Sequence, residues 1–300
     1  MKVKILIPLL AATLIVILIV ILFVSFMVYK SYIKKQIEQK EITLPIAQIV
    51  PGKLPQNPFI TERVITERDV FRIKKQYFYT AKYLSMSAGD AEITIDPQKD
   101  KNEIIISANI KSSWTISSVY TLDAELVTRM DAKSFVPLIS TLSRADTFSK
   151  IKRQTVFNYM DNKIQYIEKG FRVHKGDYTR EESKPLNTLF FDELSALFLL
   201  GFVELTPNST ITIPVVSNIR LYSVKLKIGE LKDMELPNFG KLKVLETTAE
   251  ITKEGAPVSF GDVKLFISPS YNNIPVILTG KLQNKKFKLG EITIMLNKIK

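Results

Sequence analysis

From residue 69 to the end of the chain, apolar and polar side chains alternate with a period of two. In "LYSVKLKIG" Tyr222, Val224, Leu226 and Ile228 share one face, while Lys225 and Lys227 occupy the other. A half-buried β-strand requires this arrangement. The same alternation runs through "NEIIISANI" (Ile104, Ile106, Ala108, Ile110), "GDVKLFIS" (Val263, Leu265, Ile267) and "GEITIMLNKI" (Ile292, Ile294, Leu296). Turn-forming stretches such as "DPQKDKN", "MDNK" and "LPNFGK" separate the strands, which favours antiparallel hairpins over βαβ units. The predicted class is all-β: a curved antiparallel sheet, sandwich or half-barrel.

One stretch breaks the period. In "FFDELSALFLLGFVEL" Phe191, Leu194, Leu197, Phe198 and Phe202 recur at helical spacing. Asp192 stands where an N-cap accepts the first free amides, and Glu193 favours the positive end of a helix. A short apolar helix is therefore predicted inside the β domain, closing one end or the concave face of the sheet. Leu194, Leu197, Phe198 and Phe202 are the candidate lining of an apolar ligand cavity. Asp192, Glu193 and Ser195 side by side also raise a catalytic elbow, but the chain has no G-x-S-x-G, and capping is the better account.

The N-terminal pattern is different again. Ile5 to Tyr29 carries no charged residue, enough to cross a hydrocarbon core of about 30 Å at about 1.5 Å per helical residue. A single transmembrane helix is predicted within residues 1–36. The run exceeds the ~7–15 apolar residues of a cleavable signal, and "SFMVYK" has no small-residue cleavage pattern, so an uncleaved anchor is expected. Tyr29, Tyr32, Lys30, Lys34 and Lys35 then form its interfacial girdle. Residues 37–68, with Pro45, Pro51, Pro55 and Pro58, predict an extended tether, or alternatively a strand laid along the domain edge. Residues 69–300 form the β domain. The flanking lysines are nearly balanced. Charge alone therefore leaves both topologies open, with the domain outside the cytoplasm or within it.

Composition narrows the chemistry. The 300 residues include no cysteine, which excludes disulfides, thiolate nucleophiles, cysteine zinc sites and a lipidated N-terminal cysteine. The net charge is +12, and residues 43–300 hold 36 basic and 28 acidic side chains, a surplus of eight spread thinly. Nucleic-acid binding normally shows a clustered basic stripe with stacking aromatics, so nucleic acid is not an expected partner. The single histidine, His174, lies in the loop-like "FRVHKGDY", and one His without Cys builds no usual zinc site, so no metal or cofactor is expected.

Paired carboxylates occur at Asp90 and Glu92, Asp123 and Glu125, and Glu181 and Glu182. The first two pairs share a strand face and could serve as acid and base in glycoside cleavage, although their lysine and turn neighbours fit solvated edges. The densest basic patch is Lys281, Lys285, Lys286 and Lys288 in "GKLQNKKFKLG". It reads either as a solvated hairpin tip that guards a sheet edge or as a contact for anionic lipid or glycolipid headgroups.

Three segments resemble the bacterial domain of unknown function family 3108. "DELSALFLLGFVELTPNSTITIPV" is similar to the family's Asp-Pro-Leu-Ser run, its tyrosine-rich helix with an Arg, and its Lys-Pro-Gly-Asp turn, with Asp192, Leu194, Ser195 and Pro207 matching. "YFYTAKYLSMSAGDAEITI" resembles the opening hairpin with an Ala-Gly turn at Ala88 and Gly89. "LFISPSYNNIPVIL" resembles a Trp-Leu-Ser-Asp-Asp segment running to Arg-Ile-Pro-Val, with Ser268, Ile274, Pro275 and Val276 retained. The family's aspartate pair is replaced by Pro269 and Ser270, its arginine by Asn273, its tryptophan by Phe266 and its helix arginine by Gly201. Any chemistry done by those charges in relatives is not done the same way here. The resemblance implies export and a β-rich fold, and no activity; with the predicted anchor, it implies a single-pass bacterial inner-membrane protein whose domain lies in the periplasm or outside.

The expected function is a membrane-anchored, non-catalytic cell-envelope protein whose extracytoplasmic β domain binds an amphipathic ligand or a protein partner. The alternative is a carboxylate-dependent enzyme acting on envelope glycans. Expected partners are the membrane itself and a lipid, glycolipid or envelope protein.

Overall fold

The alternation is realised as one antiparallel sheet. The computed structural model describes residues 29–45, 54–60, 73–258, 263–284 and 287–300, and of residues 281–284 and 287–289 the backbone alone. Eight strands come first: β1 (Lys75–Tyr83), β2 (Met86–Gln98), β3 (Glu103–Ser112), β4 (Leu122–Asp131), β5 (Pro137–Asp146), β6 (Ser149–Asn158), β7 (Lys163–Arg172) and β8 (Gly176–Pro185). Seven follow: β9 (Thr210–Ser217), β10 (Arg220–Leu236), β11 (Gly240–Lys253), β12 (Ala256–Pro257), β13 (Val263–Ser268), β14 (Ile274–Asn284) and β15 (Phe287–Ile299). Helix α1 covers residues 29–39, α2 is Trp114–Ser117, between β3 and β4, and α3 is Glu193–Leu199, between β8 and β9.

The strands meander from β8 back to β1, then from β15 back to β9, with β12 paired to β11 alone. The first and last strands join the two halves, with register from Tyr77↔Ile299 to Tyr83↔Ile292. The two free ends of this path, β8 and β9, share no ladder. They are closed by side chains instead: Phe157, Ile164, Tyr166, Leu186, Phe190, Val216 and Ile219 form one buried cluster across the seam. Phe191 adds an isolated parallel bridge to Val215. The result is a barrel-like curve with a side-chain seam, in agreement with the half-barrel form of the all-β expectation.

The inward positions carry the core. Ile104, Ile106 and Ala108 of β3 are 1%, 1% and 3% exposed, and they pack with Met130, Val244 and Leu296 around the apolar side of α3. The predicted helix is present, but it ends at Leu199, so Phe202 lies in the turn beyond it. There Phe202 stacks at 4.6 Å on Phe198 and 5.3 Å on Phe135, ring centroid to centroid.

The N-terminal expectations meet the structure only from residue 29 onward. Residues 1–28, most of the expected anchor, lie outside the described residues, and among the described residues no helix is long and apolar enough to cross a membrane. Residues 29–36 are helical as expected, yet Ile33 and Ile37 are buried. The α1 helix lies beside the ends of β4 and β5, around Leu122 and Ala145. Lys30, expected at the lipid interface, donates from Nζ to the backbone carbonyls of Ser117 and Ser118 at the C-terminus of α2. Nor are the described parts of the tether free. Ile42 is buried, Lys40 bonds Asp177 and sits over the Phe171 ring, Asn57 donates to the Phe135 carbonyl at 3.0 Å, and Phe59 meets Phe191 edge-on at 5.9 Å. A proline-rich segment that cannot join a ladder can still bury its apolar side chains, which the prolines alone did not reveal.

The seam holds one strained backbone. The β9–β10 hairpin turns on Asn218 and Ile219 with φ of 51° and 56°, the two-residue form whose twist suits a hairpin. A β-branched residue there is a true outlier, and Ile219 is held because its side chain is fully buried in the seam. Replacing Ile219 with Ala removes that packing and keeps the strain, and is expected to cost about 2–4 kcal/mol. Ile219→Gly loses the same contacts but relieves the strain, so urea denaturation should show it about 1 kcal/mol more stable than the Ala variant. Equal stability of the two would show that the turn stores no strain.

Candidate functional site

Burying the start of a helix inside a curved sheet leaves amides that water cannot reach, so the chain must supply acceptors. Asp192 does so. Its Oδ1 accepts from Leu194 N at 3.0 Å and Ser195 N at 3.3 Å, and Ser195 Oγ accepts from Asp192 N at 2.9 Å, completing a capping box. Thr128 Oγ1 of β4 donates to Oδ1 at 2.6 Å and Ser195 Oγ to Oδ2 at 2.7 Å. Asp192 and Ser195 are 2% and 0% exposed, and His174 stands exposed in the β7–β8 turn. The constellation is a cap with no access to substrate. Burial raises the Asp192 carboxyl above its ordinary pKa, and the hydrogen bonds from Thr128 and Ser195 oppose it.

Of the carboxylate pairs only Glu181 and Glu182 border a common pocket, an open one of about 510 Å³ with Gln154, Gln165 and Tyr166. Asp90 and Glu92 alternate with the inward-facing Ala91 and Ile93 and take hydrogen bonds from Thr80 and Gln76. Asp123 and Glu125 are exposed, and Glu182 pairs with Arg180. The buried acid that alternation did not reveal is Glu168, an inward residue of β7 that accepts from Tyr166 at 2.7 Å and Tyr178 at 2.9 Å. Nearby, Glu193 accepts from Arg153 at 3.1 Å and from Ser217 Oγ at 2.5 Å. These polar groups tie the sheet ends together across the seam. Burial and the neighbouring Glu168 push the Tyr166 hydroxyl well above its ordinary pKa, so it serves as a neutral donor. Among the described residues no three His, Asp or Glu side chains group closely enough to hold a metal ion.

Two apolar clefts lie on the concave face. The first gathers the predicted Leu194, Leu197 and Phe198 against Tyr77, Tyr79 and Ile106, but its free volume is about 30 Å³, the share of one water molecule. The helix therefore fills the cavity it was expected to line, and Phe202 is not part of that cleft. The second lies further along the same strands, under α2. It has about 380 Å³ and opens to solvent between Ala81, Tyr83, Ala91, Ile110, Ile116, Tyr120, Ile292 and Ile294. It exists because the inward positions here are small: Ala81, Ala91 and Gly89 leave the space that Tyr79 and Ile93 fill one step earlier. At Gly89 a Cβ would meet the Lys111 carbonyl oxygen at 2.4 Å, so β2 and β3 approach too closely for a larger residue. Lys285 and Lys286 of the expected basic patch lie outside the described residues, as do the side chains of Lys281 and Lys288.

Fold and cleft together define a β-barrel-like protein. The chain is similar to a solved structure described as a crystal structure of a β-barrel-like protein of domain of unknown function DUF1849 from Brucella abortus. Identity is 12%, the match covers 76% of this chain and 97% of that one, and the TM-score is 0.50, a likeness of fold alone. The family model described as protein of unknown function (DUF3108) matches residues 78–297. The chain belongs to that family. No curated protein matches the chain.

The raised Asp192 pKa carries a sign. The folded state holds this proton more tightly than the unfolded chain, so the contribution to stability is fully present below the unfolded pKa and is lost as pH rises through the folded pKa. Asp192→Asn keeps the acceptor and removes the charge. The stability of wild type relative to Asp192→Asn, followed by urea denaturation from pH 3 to 7, should therefore fall with rising pH, above the ordinary value of 3.8. Asp192→Ala, which strands buried amides, should lose at least ~2 kcal/mol at every pH.

Proposed function

We propose that the protein is a membrane-tethered, non-catalytic cell-envelope protein that holds the apolar part of an amphipathic molecule on the concave face of its β domain, outside the cytoplasm. The observation that carries this function is the open apolar cleft under α2, whose volume of about 380 Å³ falls in the ~300–1,000 Å³ range of small-molecule sites. On β1 the open stretch runs from Ala81 to Tyr83 and stops where Tyr77 and Tyr79 meet the filled cleft, which suits the apolar end of an acyl chain. The filled cleft beside Leu197 and Phe198 marks the inner limit of this track. The uncharged run from Ile5 to Tyr29 supplies the tether and motivates the location. Glycan cleavage needs two carboxyls about 5–10 Å apart, and among the described lining residues of the cleft Asp90 is the only carboxylate.

Native mass spectrometry of the full chain, purified from membranes in mild detergent, tests the function. A co-purifying acyl lipid is expected, released by solvent extraction. Ala91→Phe, which fills the cleft floor, should reduce the adduct at least tenfold while the circular dichroism spectrum is kept. Leu197→Ala, beside the closed cleft, should leave it. A wild-type chain that carries no lipid overturns the proposal.

A further inference from the structure

Trp114, the chain's one tryptophan, is 88% exposed on α2, and Val119 just beyond it is 72% exposed. Single exposed apolar residues are ordinary, but these have company. The β1–β2 hairpin tip carries Leu84 and Met86, 61% and 51% exposed. That tip is fastened to the α2 loop: Ser113 N donates to the Ala88 carbonyl at 3.0 Å and Ser113 Oγ to the Ser87 carbonyl at 2.6 Å. These two joined loops border the α2 end of the apolar cleft, which Ala88, Ile116 and Tyr120 help to line.

The position of this surface relative to the rest of the chain is fixed by Lys30. Its ammonium bonds the last carbonyls of α2, including that of Ser118 at 2.7 Å, and residue 30 directly follows the uncharged run Ile5–Tyr29. Wherever that run ends, the α2 loop is within one lysine side chain of it. Tyr29 and Tyr32 are exposed beside it, and Lys34 and Lys35 add cations on the same segment. An exposed tryptophan, aliphatic side chains and nearby lysines are the composition that settles at an anionic phospholipid interface.

We propose that the α2 loop and the β1–β2 tip dock on the phospholipid bilayer that holds the N-terminal segment, and that the cleft receives its acyl chain directly from that bilayer. This rests on the membrane-tethered, lipid-holding function proposed above. Docking places the mouth of the cleft against the source of its ligand, so the acyl chain never crosses water.

The lone tryptophan makes the test direct. The full chain is reconstituted into vesicles of phosphatidylcholine and phosphatidylglycerol, some carrying spin-labelled lipids that quench at headgroup or shallow acyl depth. Flotation reports the tether, and Trp114 fluorescence reports docking. Flotation with a blue-shifted emission, quenched by the shallow label and shielded from iodide, is expected. Met86→Glu with Val119→Asp should cut that lipid quenching at least twofold while flotation and the circular dichroism spectrum persist. Flotation with Trp114 quenched by iodide and indifferent to labelled lipid overturns docking and leaves the tether standing. Failure to float removes the tether, and docking with it.

Discussion

The buried bond from Thr128 to Asp192 is the contact on which the rest of the arrangement depends. A curved sheet with an apolar inner face must cover that face, and here the cover is a seven-residue helix far too short to be stable alone. It persists only because its N-terminus is satisfied inside the curve, and Asp192 can satisfy it only while Thr128 and the Ser195 hydroxyl share the cost of burying a carboxyl group. Fixing α3 at that point decides the remaining geometry. The stretch of concave face opposite Leu194 and Phe198 is filled, and the stretch beyond Ala81 and Ala91 is left open.

Much of this was legible in the chain itself. Period-two segments such as Ile104 to Ile110 and Tyr222 to Ile228 became strands with the expected face inward, because a sheet with one wet face leaves a clean alternation. The cap at Asp192 was equally readable, since capping is a local affair. What alternation hides is any polar group on an inward position: Glu168 sits in "KIQYIEKGFR" where an apolar residue belongs, and its partners Tyr166 and Tyr178 come from register, not from proximity in sequence. The cleft was missed for a related reason. Helical spacing draws attention to large side chains, whereas the space is made by small ones, at Ala81, Gly89 and Ala91, and by a loop, "SSWTISSVYT", that follows neither period. In the proline-rich segment proline forbids ladder bonds but not packing, so its buried Ile42 and Asn57 could not be read from the prolines.

The stretch that follows α3 is held against the β13–β14 turn. Gly201 lies where a Cβ would stand 3.4 Å from the Asn272 carbonyl oxygen, beside the turn that carries Pro269, Ser270 and Asn273. Asn273, 4% exposed, donates from its side chain to the Val203 carbonyl at 2.8 Å. This neutral hydrogen bond ties the stretch after α3 to the β13–β14 turn.

The pairing of β1 with β15 sets the order in which the domain can be made. Strands β1 to β8 leave the ribosome first and can zip up as successive hairpins, each contact local and fast to form. Yet β1 must then wait with a bare edge until β15, at the far end of the chain, is synthesised and docks along it. An unpaired strand edge is a template for association with other chains, so the half-made domain is exposed for nearly the whole of its synthesis. Cellular systems that shield nascent β edges should therefore matter more for this protein than its final stability would suggest.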